Sequence, residues 1–423
     1  MIALADCNNF FCSCERVFQP QLRTTPVVVL SNNDGCVIAR SNESKALGIK
    51  MGQPFYQAKE LIEKNGVAVF SSNYTLYGDM SSRVMSLLST YSPKIDIYSI
   101  DEAFLDFSGM MQGEELKQYA ENMVRQITKG TGIPVSLGIA PTKTLAKVAS
   151  KFAKKYKAYN GVCMLDTEEK REKALKLIDV SDVWGIGRQA SKKLEYYGVR
   201  TAWDLISKSQ SWVRNMLTIT GERIWRELRG ENCIEVDELP HKKSICTSRS
   251  FPDSGLKELA DVEEAVANFA AQCSRKLREQ HTVCSSVTIF AYTSRFRTDI
   301  LQNTIHKTIT LQVPTNNLQE LVSHSVEAIR SEWKKGEYLY KKAGVIVWNI
   351  SPDNAIQGVL FDEVDRTKQK ALSKAIDEIN KKNGYNTIRV AVQGYNKNWH
   401  LKSEHVSKQY TTNINDLIIV NTD

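Results

Sequence analysis

Several marks of membrane, secreted and zinc-stabilised proteins are scarce in this sequence of 423 residues. It contains no run of about 18 apolar residues, which argues against a transmembrane helix. Residues 1–6 carry no basic stretch and end in an acid, so we expect no signal peptide. The nine cysteines include no C-x-x-C pair, and only six histidines occur. A disulfide framework and a structural zinc site are therefore not expected, and free thiols in a reducing cytoplasm are the simplest interpretation.

The composition is that of an ordinary globular protein with a mild preference for polyanions. Hydrophobic residues make up 42% of the chain and charged residues 25%, values typical of globular domains. The formal net charge is +8, which alone is a weak indication of a phosphate-bearing partner. The length allows two to four domains, each with its own core.

The order of predicted elements indicates an α+β protein built from several units. From the N-terminus, a strand, a helix, a hairpin, a helix, a strand and a helix predict a split β-α-β sheet with helices on one face. Residues 166–230 are predicted to be helical, and the polar stretch 231–243 to be a linker. Residues 244–349 predict a β-α-β-β-α-β order. The tail predicts a helix at 366–382 and a strand at 387–392.

Three acidic residues at strand ends are the first candidates for chemistry. Asp6 ends the N-terminal strand, and Asp101 and Glu102 stand at the corner of a hairpin. Neighbouring side chains of a straight strand point to opposite faces, but at a tight bend these two acids can share a ligand. The alternative is a hairpin turn with solvated acids. If the two strands are neighbours, the three carboxylates converge as a site for Mg²⁺, and two such ions support an in-line phosphoryl transfer.

An aromatic pair, Phe10 and Phe11, follows Asp6 by four and five positions. Core packing is the expected role of one of the two rings. The other could form the floor beneath a nucleotide sugar. A bulky ring there would exclude a 2′-hydroxyl and so select deoxyribose.

A lysine-rich helix is predicted from Pro141 to about Tyr156. Residues 140–160 contain six lysines and no acid. Lysines four positions apart share a slanting face of a helix. That face is either merely solvated or a site for a triphosphate or a nucleic-acid backbone, and the missing acids favour the second. The six are Lys143, Lys147, Lys151, Lys154, Lys155 and Lys157.

The sequence Gly185-Ile186-Gly187 joins two predicted helices and is followed by Lys192 and Lys193. Closely spaced glycines let backbone N–H groups at a helix N-terminus approach a phosphate. This pattern is typical of a helix-hairpin-helix contact with DNA. A dinucleotide-binding fold is excluded because no strand precedes the glycines.

A second short motif, Gln357-Gly358-Val359-Leu360-Phe361, lies just beyond a proline-containing break. An exposed Leu-Phe pair in a polar tail usually requires a pocket on a partner. The alternative is that the segment docks on its own domain.

Together these residues resemble the Y-family translesion DNA polymerases over essentially the whole chain. The most specific matches are Asn32 to Arg40, Tyr98 to Phe104 and Asp182 to Arg188. The chain length and the tail after residue 350 fit the UmuC branch of that family better than its other branches.

The resemblance implies a right-hand polymerase with a C-terminal extension. It places the palm at 1–10 and 74–165, the fingers at 11–73, the thumb at 166–231, the linker at 232–243, the little finger at 244–350 and the extension at 351–423.

The resemblance also implies roles for individual residues. Asp6, Asp101 and Glu102 would bind the metals together with the backbone carbonyl of Cys7, and Phe11 falls at the steric-gate position beside Phe10. Lys154 falls where the family places a triphosphate-binding lysine. Asn42 and Lys45 stand where many members have Tyr and Arg, which predicts a weaker grip on the nucleotide or help from Arg40. The residues expected to contact DNA are Gly185, Gly187, Arg188, Lys192 and Arg249.

The expected function is error-prone, template-directed DNA synthesis past damaged bases during the SOS response to DNA damage, and we see no spare segment for a proofreading exonuclease. The expected partners are primer–template DNA, dNTPs and, through Gln357, Leu360 and Phe361, the β sliding clamp. Processed UmuD-type subunits and RecA are implied by the family alone, and no membrane is expected. The two alternatives are a nucleotide cyclase, which can share a palm-like sheet, and a non-catalytic DNA-binding subunit.

Overall fold

The computed structural model describes residues 1–234, 242–252, 255–354, 356–360, 362, 364–384, 386–395 and 399–419. The chain divides into two compact units, one made of Met1–Glu238 and Glu404–Asp423 and the other of Leu239–Ser403. The last residues therefore group with the first unit, whereas the sequence indicated one continuous C-terminal extension. Most of the predicted linker 232–243 lies outside the described residues.

A five-stranded sheet lies at the centre of the first unit. Its strands, numbered along the chain, are β1 (Ile2–Cys7), β5 (Ile95–Ile97), β6 (Glu102–Asp106), β7 (Val135–Ala140) and β8 (Val162–Met164). The order is β5-β6-β1-β7-β8, so β1 is the middle strand. It pairs antiparallel with both β6 and β7.

Helices cover both faces of this sheet, because the side chains of β1 alternate between two apolar cores. Ala3 and Ala5 belong to the core with the helices α1 (Phe10–Phe18), α4 (Tyr74–Leu88) and α5 (Gly113–Thr131). Leu4 belongs to the core with α6 (Lys143–Lys155). The prediction that helices lie on one face is therefore wrong, since a strand that is apolar on both sides must be covered on both.

Helix α6 lies directly on β7 at Gly138. A Cβ atom there would be 2.1 Å from the backbone nitrogen of Ser150 and 2.2 Å from the carbonyl oxygen of Ala146. Only glycine permits this approach. It brings the lysines of α6 over the end of the sheet that carries Asp6 and Glu102.

A second, three-stranded sheet follows α1 in the first unit. Its strands are β2 (Val27–Leu30), β3 (Val37–Arg40) and β4 (Ala68–Ser71), in the order β3-β2-β4. The helices α2 (Asn42–Ala46) and α3 (Phe55–Lys64) complete this part. Val28 and Leu30 are fully buried in its small core.

The segment predicted to be helical contains α7 (Glu168–Leu177), α8 (Arg188–Tyr196), α9 (Ala202–Ile206) and α10 (Gln210–Leu228). Gly185, in the turn before α8, has a φ of +87°, and a Cβ there would be 2.6 Å from the Cδ1 of Ile224. The turn therefore requires glycine both for its backbone conformation and for its packing.

The second unit has the predicted β-α-β-β-α-β order. Its elements are β9 (Ser244–Ser250), α11 (Leu259–Glu279), β10 (Thr282–Thr293), β11 (Thr304–Thr315), α12 (Leu318–Glu332) and β12 (Tyr340–Pro352), followed by α13 (Arg366–Asn383). The four strands form an antiparallel sheet in the order β11-β10-β12-β9. These sheets and helices confirm the α+β class.

The prediction of a strand at 387–392 is wrong. Residues Ala391–Gln393 form a 3-10 turn. Val390 and Val392 pack against the apolar core of the second unit, and Gln393 exchanges hydrogen bonds with Asn268 of α11. The alternation of apolar residues thus reflects packing on a helix, with no ladder to a neighbouring strand in the described stretch 386–395.

None of the helices in the described ranges is both long and apolar enough to cross a bilayer. All nine cysteines lie within those ranges, and each is a free thiol.

Candidate active site

The pairing of β1 with β6 places two of the three predicted acids side by side. Asp6 lies directly opposite Glu102 in the antiparallel register. Opposite residues share one face of a sheet, and Leu4 and Phe104, two positions away on the same strands, face α6. Asp6 and Glu102 therefore also lie on the α6 side.

Asp101 stands next to this pair, at the predicted bend. The backbone N–H groups of Tyr98 and Ser99 both donate to the carbonyl oxygen of Glu102, at 3.0 and 3.1 Å, which closes the turn. Ser99 Oγ donates to Asp101 Oδ1 at 2.6 Å and so fixes the carboxylate. The carbonyl of Asp101 accepts from the N–H of Cys7 at 2.9 Å, which ties the bend to the end of β1.

The carboxyl of Asp6 is held in an unfavourable electrostatic setting. Burial raises its pKa to about 6, and the charges of Glu102 and Asp101 add to that rise, although Lys154 opposes it. The acids are therefore close enough to repel one another, and a cation at this place would relieve the repulsion.

The lysines of α6 are the counter-charges of these acids. Lys154 forms an ion pair with Asp6, and Lys147 Nζ lies 3.0 Å from Glu102 Oε1 and 3.1 Å from Oε2. Residues 140–160 contain no acid, and the acidic partners of these lysines lie on β1 and β6. Sequence reasoning did not foresee this pairing. Two further pairs join Lys143 to Asp96 and Lys151 to Asp182.

Lys147 also connects the sheet to the helical segment. Its ammonium lies 4.5 Å from the centre of the Tyr98 ring and 5.3 Å from that of Trp184, and Trp184 Nε1 donates to Tyr98 Oη at 3.2 Å. Sequence reasoning placed Lys147 on the basic face of the predicted helix without an acidic partner, and it did not select Ser99. The i, i+4 lysine spacing and the serine two positions before Asp101 were the available signals.

The two phenylalanines occupy different environments. Phe10 is buried in the core, whereas Phe11 is half-buried. The ring of Phe11 is stacked on that of Tyr77, with centroids 4.5 Å apart and an angle of 16° between the planes, and Tyr74 lies edge-on at 6.1 Å. This difference fits the expectation that one ring serves packing, while the gate role of the other stays a prediction.

The predicted finger residues meet the start of α1. Lys45 Nζ donates to Asn9 Oδ1 at 2.5 Å, and Asn9 Nδ2 donates to Asn42 Oδ1 at 3.1 Å. Burial lowers the pKa of Lys45, and the neighbouring charges of Arg40 and Lys154 lower it further. Arg40 itself donates to the carbonyl of Ile49 at 2.7 Å. Lys45 and Lys154 therefore lie near Asp6, and Arg40 lies near Lys45.

The predicted DNA contacts lie in both units. In the first unit, Gly185, Gly187, Arg188 and Lys192 are exposed around the N-terminus of α8. In the second unit, the guanidinium of Arg249 on β9 lies 5.5 Å from the centre of the Trp399 ring and is half-buried. Their roles stay predictions.

The predicted clamp segment also belongs to the second unit. Gln357 is exposed, and Leu360 is 91% exposed. Phe361 lies outside the described residues. The exposure of Leu360 does not favour docking of this side chain on its own domain.

Asp6 gives a pH-dependent prediction for the metal-free protein. Because the pKa of Asp6 rises from 3.8 to about 6 on folding, proton binding to Asp6 stabilises the folded state at low pH, and this contribution is lost as the pH rises through about 6. At pH 7.5 the folded state holds the ionised carboxylate in its buried site. Asp6→Asn should therefore raise the free energy of unfolding at pH 7.5 by about 1–3 kcal/mol, with a smaller gain at pH 4.5. Urea unfolding with a chelator measures this.

Asp179→Asn is the control, because the pKa of Asp179 is shifted in the opposite direction to that of Asp6. Hydrogen bonds from Ser181 lower the pKa of Asp179 in the folded state, so its stabilising effect is present at neutral pH and is lost as the pH falls. This variant should be less stable at pH 7.5. A stability gain from Asp6→Asn that did not change with pH would contradict the raised pKa.

Comparisons with known proteins assign the chain to a family. A model described as the impB/mucB/samB family matches residues 5–151, the C-terminal domain of that family matches 242–360, and a Domain of unknown function (DUF4113) matches 370–420. The Protein UmuC of Salmonella typhimurium is 41% identical over 423 residues, covering 99% of this chain and 100% of that protein. DNA polymerase IV of Corynebacterium diphtheriae is 29% identical and covers 85% of this chain and 77% of that protein.

A solved structure shares the fold. The Y-family DNA polymerase chimera of Dbh and Dpo4 matches 83% of this chain and 100% of its own, with a TM-score of 0.66 and 21% sequence identity. The right-hand α+β architecture expected from the sequence is thereby confirmed. In the described residues no three His, Cys, Asp or Glu side chains are arranged to hold a metal ion, so the metal ligands stay a proposal. From the full-length match to UmuC, the chain belongs to the impB/mucB/samB family.

Proposed function

We propose that Asp6, Asp101 and Glu102 form the catalytic centre at which this Y-family polymerase adds a deoxynucleotide to a primer, including opposite damaged bases. The observation that supports this most is the register that sets Asp6 opposite Glu102, beside Asp101 and beneath the lysines of α6. Carboxylates that can bind metal ions, next to ammonium groups that can bind phosphates, suit a nucleoside triphosphate bound together with its metal ion.

The donor set suits two Mg²⁺ ions, which prefer carboxylate and carbonyl oxygens. Asp6, Asp101, Glu102 and the carbonyl of Cys7 would hold them. The ammonium groups now paired with Asp6 and Glu102 are stand-ins for cations at the same carboxylates. When bound, Mg²⁺ lowers the pKa of the primer 3′-hydroxyl and neutralises charge on the phosphates.

The neighbouring side chains of the first unit supply binding and selection. Lys154, with help from Lys45 and Arg40, binds the triphosphate and stabilises the charge that develops as pyrophosphate leaves. Lys45 acts as a point charge, since it lacks the bidentate fork of arginine. Phe11 lies beneath the sugar and excludes a 2′-hydroxyl. Backbone N–H groups at the exposed residues Gly185 and Gly187, with Arg188 and Lys192, contact the phosphate backbone of the duplex.

Product analysis tests this proposal against both alternatives. The purified chain is incubated with Mg²⁺ and labelled dATP or ATP, with and without a primer–template that carries an abasic site. We expect elongated primer only when the primer–template is present. A cyclic nucleotide formed without primer would instead identify a cyclase, and DNA binding without any product would identify a non-catalytic subunit.

We also propose that the β sliding clamp binds the segment Gln357 to Phe361. Leu360 is almost fully exposed, as a side chain that enters a pocket on a partner must be before binding. Changing Gln357, Leu360 and Phe361 to alanine should abolish stimulation of primer extension by the clamp and leave clamp-free extension unchanged. The matched control is Leu372→Ala on α13, which is 44% exposed. An equal loss of clamp-free extension would show that the segment supports its own domain.

Two further assignments depend largely on the family. Processed UmuD-type subunits and RecA are proposed partners during the SOS response. A cytoplasmic location is proposed because the chain is a member of a DNA-copying family and its nine thiols are free.

A further inference from the structure

The last residues of the chain form a strap on the first unit. The N–H of His405 donates to Ser71 Oγ at 2.9 Å, and the N–H of Ser71 donates back to the carbonyl of His405 at 3.0 Å. Ser71 ends β4, an edge strand of the three-stranded sheet. Further along, the ring of Tyr410 is stacked on that of Phe18 with centroids 4.8 Å apart. We call residues 404–416 the strap.

Ser407 of the strap is attached to the start of α4. Asn73 Oδ1 accepts from the N–H of Leu76 and so caps this helix. The Nδ2 of the same Asn73 donates to the carbonyl of Ser407 at 3.1 Å and lies 3.0 Å from its Oγ. One side chain therefore fixes both the first turn of α4 and the strap.

Ser407 is also joined to the proposed sugar pocket through a buried carboxyl. Ser407 Oγ donates to Glu15 Oε1 at 3.0 Å, and Tyr77 Oη donates to the same oxygen at 2.6 Å. Glu15 and Tyr77 are fully buried. The ring of Tyr77 is in turn stacked on Phe11 at 4.5 Å. A continuous series of contacts thus leads from Ser407 through Glu15 and Tyr77 to Phe11.

This arrangement restrains Tyr77 in two ways. Its backbone belongs to α4, whose first turn Asn73 caps, and its hydroxyl is held by Glu15. Glu15 Oε2 has no hydrogen-bond partner among the described residues, so the carboxyl depends on the two donors at Oε1. Loss of the Ser407 hydroxyl would leave a buried carboxyl with a single donor, which is unfavourable and allows it to move.

We propose that the strap sets the sugar selectivity of this polymerase, with Ser407, Glu15 and Tyr77 acting as positioning residues that hold the ring of Phe11 in place. This inference rests on the gate role of Phe11 proposed above. It also gives a role to part of the segment 370–420, which matches a domain of unknown function. The strap touches no reacting atom in this scheme, and it acts through the stacked pair of rings.

The test compares kcat/KM for dATP and ATP opposite a template thymine in full-length variants. Ser407→Ala and Tyr77→Phe each remove one donor to Glu15 and should raise the ATP/dATP ratio by about three- to tenfold, with kcat/KM for dATP changed by less than about twofold. Ser407→Thr keeps a hydroxyl and should keep the wild-type ratio. Thr412→Ala removes an exposed hydroxyl of the same strap and is the matched control.

Parallel measurement of Phe11→Ala separates failure of the strap from failure of the gate. A raised ratio in Phe11→Ala beside wild-type ratios in Ser407→Ala and Tyr77→Phe would overturn the strap inference alone. An unchanged ratio in Phe11→Ala would overturn the gate role and this inference with it. Equal losses for ATP and dATP in Ser407→Ala would show that the strap only stabilises the fold.

Discussion

Asp101→Asn is expected to reduce primer extension by about 10³-fold or more while leaving the affinity for primer–template nearly unchanged. Asparagine has the shape of aspartate, and Ser99 Oγ still finds an oxygen to which it can donate, so the hairpin bend should persist. What disappears is one negative charge next to Asp6 and Glu102. A neutral amide is a poor ligand for Mg²⁺, and the charge of the reacting phosphates then stays uncompensated.

Asp106→Asn is the matched control for this substitution. Asp106 lies on β6 as Glu102 does, but at the other end of the strand, opposite Ile2. The rate of primer extension by Asp106→Asn should stay within about twofold of wild type, as expected for a carboxylate that touches no substrate. Wild-type extension by Asp101→Asn would remove this residue from the catalytic centre. Parallel loss of DNA affinity would assign it to DNA binding or to folding.

Phe11→Ala is expected to raise the ATP/dATP ratio of kcat/KM by about 10²-fold. Removal of the half-buried ring opens space beneath the sugar, so a 2′-hydroxyl no longer meets a steric clash. The effect should be on kcat/KM for ATP, with a smaller change for dATP. Single-nucleotide incorporation opposite an undamaged thymine measures both.

Tyr56→Ala is the control for loss of an aromatic ring, because Tyr56 is 75% exposed on α3. It should leave the ratio unchanged. Phe10→Ala should instead lower stability by about 3–5 kcal/mol, because that ring is buried in the core. An unchanged ratio in Phe11→Ala would exclude a steric gate at this position.

The strands that carry Asp6, Asp101 and Glu102 could be predicted from sequence because their signals are local. The apolar runs around Asp101 and Glu102 predict a hairpin, and Asp6 ends an apolar strand. Which strands are neighbours does not follow from these runs alone. The register of β1 and β6 supplies that information, and it sets Asp6 opposite Glu102.

The charge pairing on α6 could not be predicted, because the partners are distant in sequence. The local absence of acids between residues 140 and 160 pointed to a free basic face. In the fold, Lys154 and Lys147 meet acids from β1 and β6, and the close approach at Gly138 brings them there. A helix face can be read from spacing, but what lies opposite it cannot.

The strap is the feature with the weakest sequence signal. Ser407 and Glu15 are 392 positions apart, and the residues around Ser407 are polar and show no periodicity. Such a segment resembles an unstructured tail until its partners are known. The incorrect prediction of a strand at 387–392 has the opposite origin. β-branched residues there produced a strong local pattern, but the described part of the chain has no neighbouring strand with which they pair.

The central claim is that a metal-dependent centre at Asp6, Asp101 and Glu102 carries out nucleotide addition. Single-turnover incorporation of dATP opposite an abasic site, in EDTA and then after titration with Mg²⁺, tests it most directly. We predict no elongated primer in EDTA and full recovery with added Mg²⁺ in the wild-type chain, with no recovery in Asp101→Asn. Elongation at the same rate with every divalent ion chelated would contradict the account.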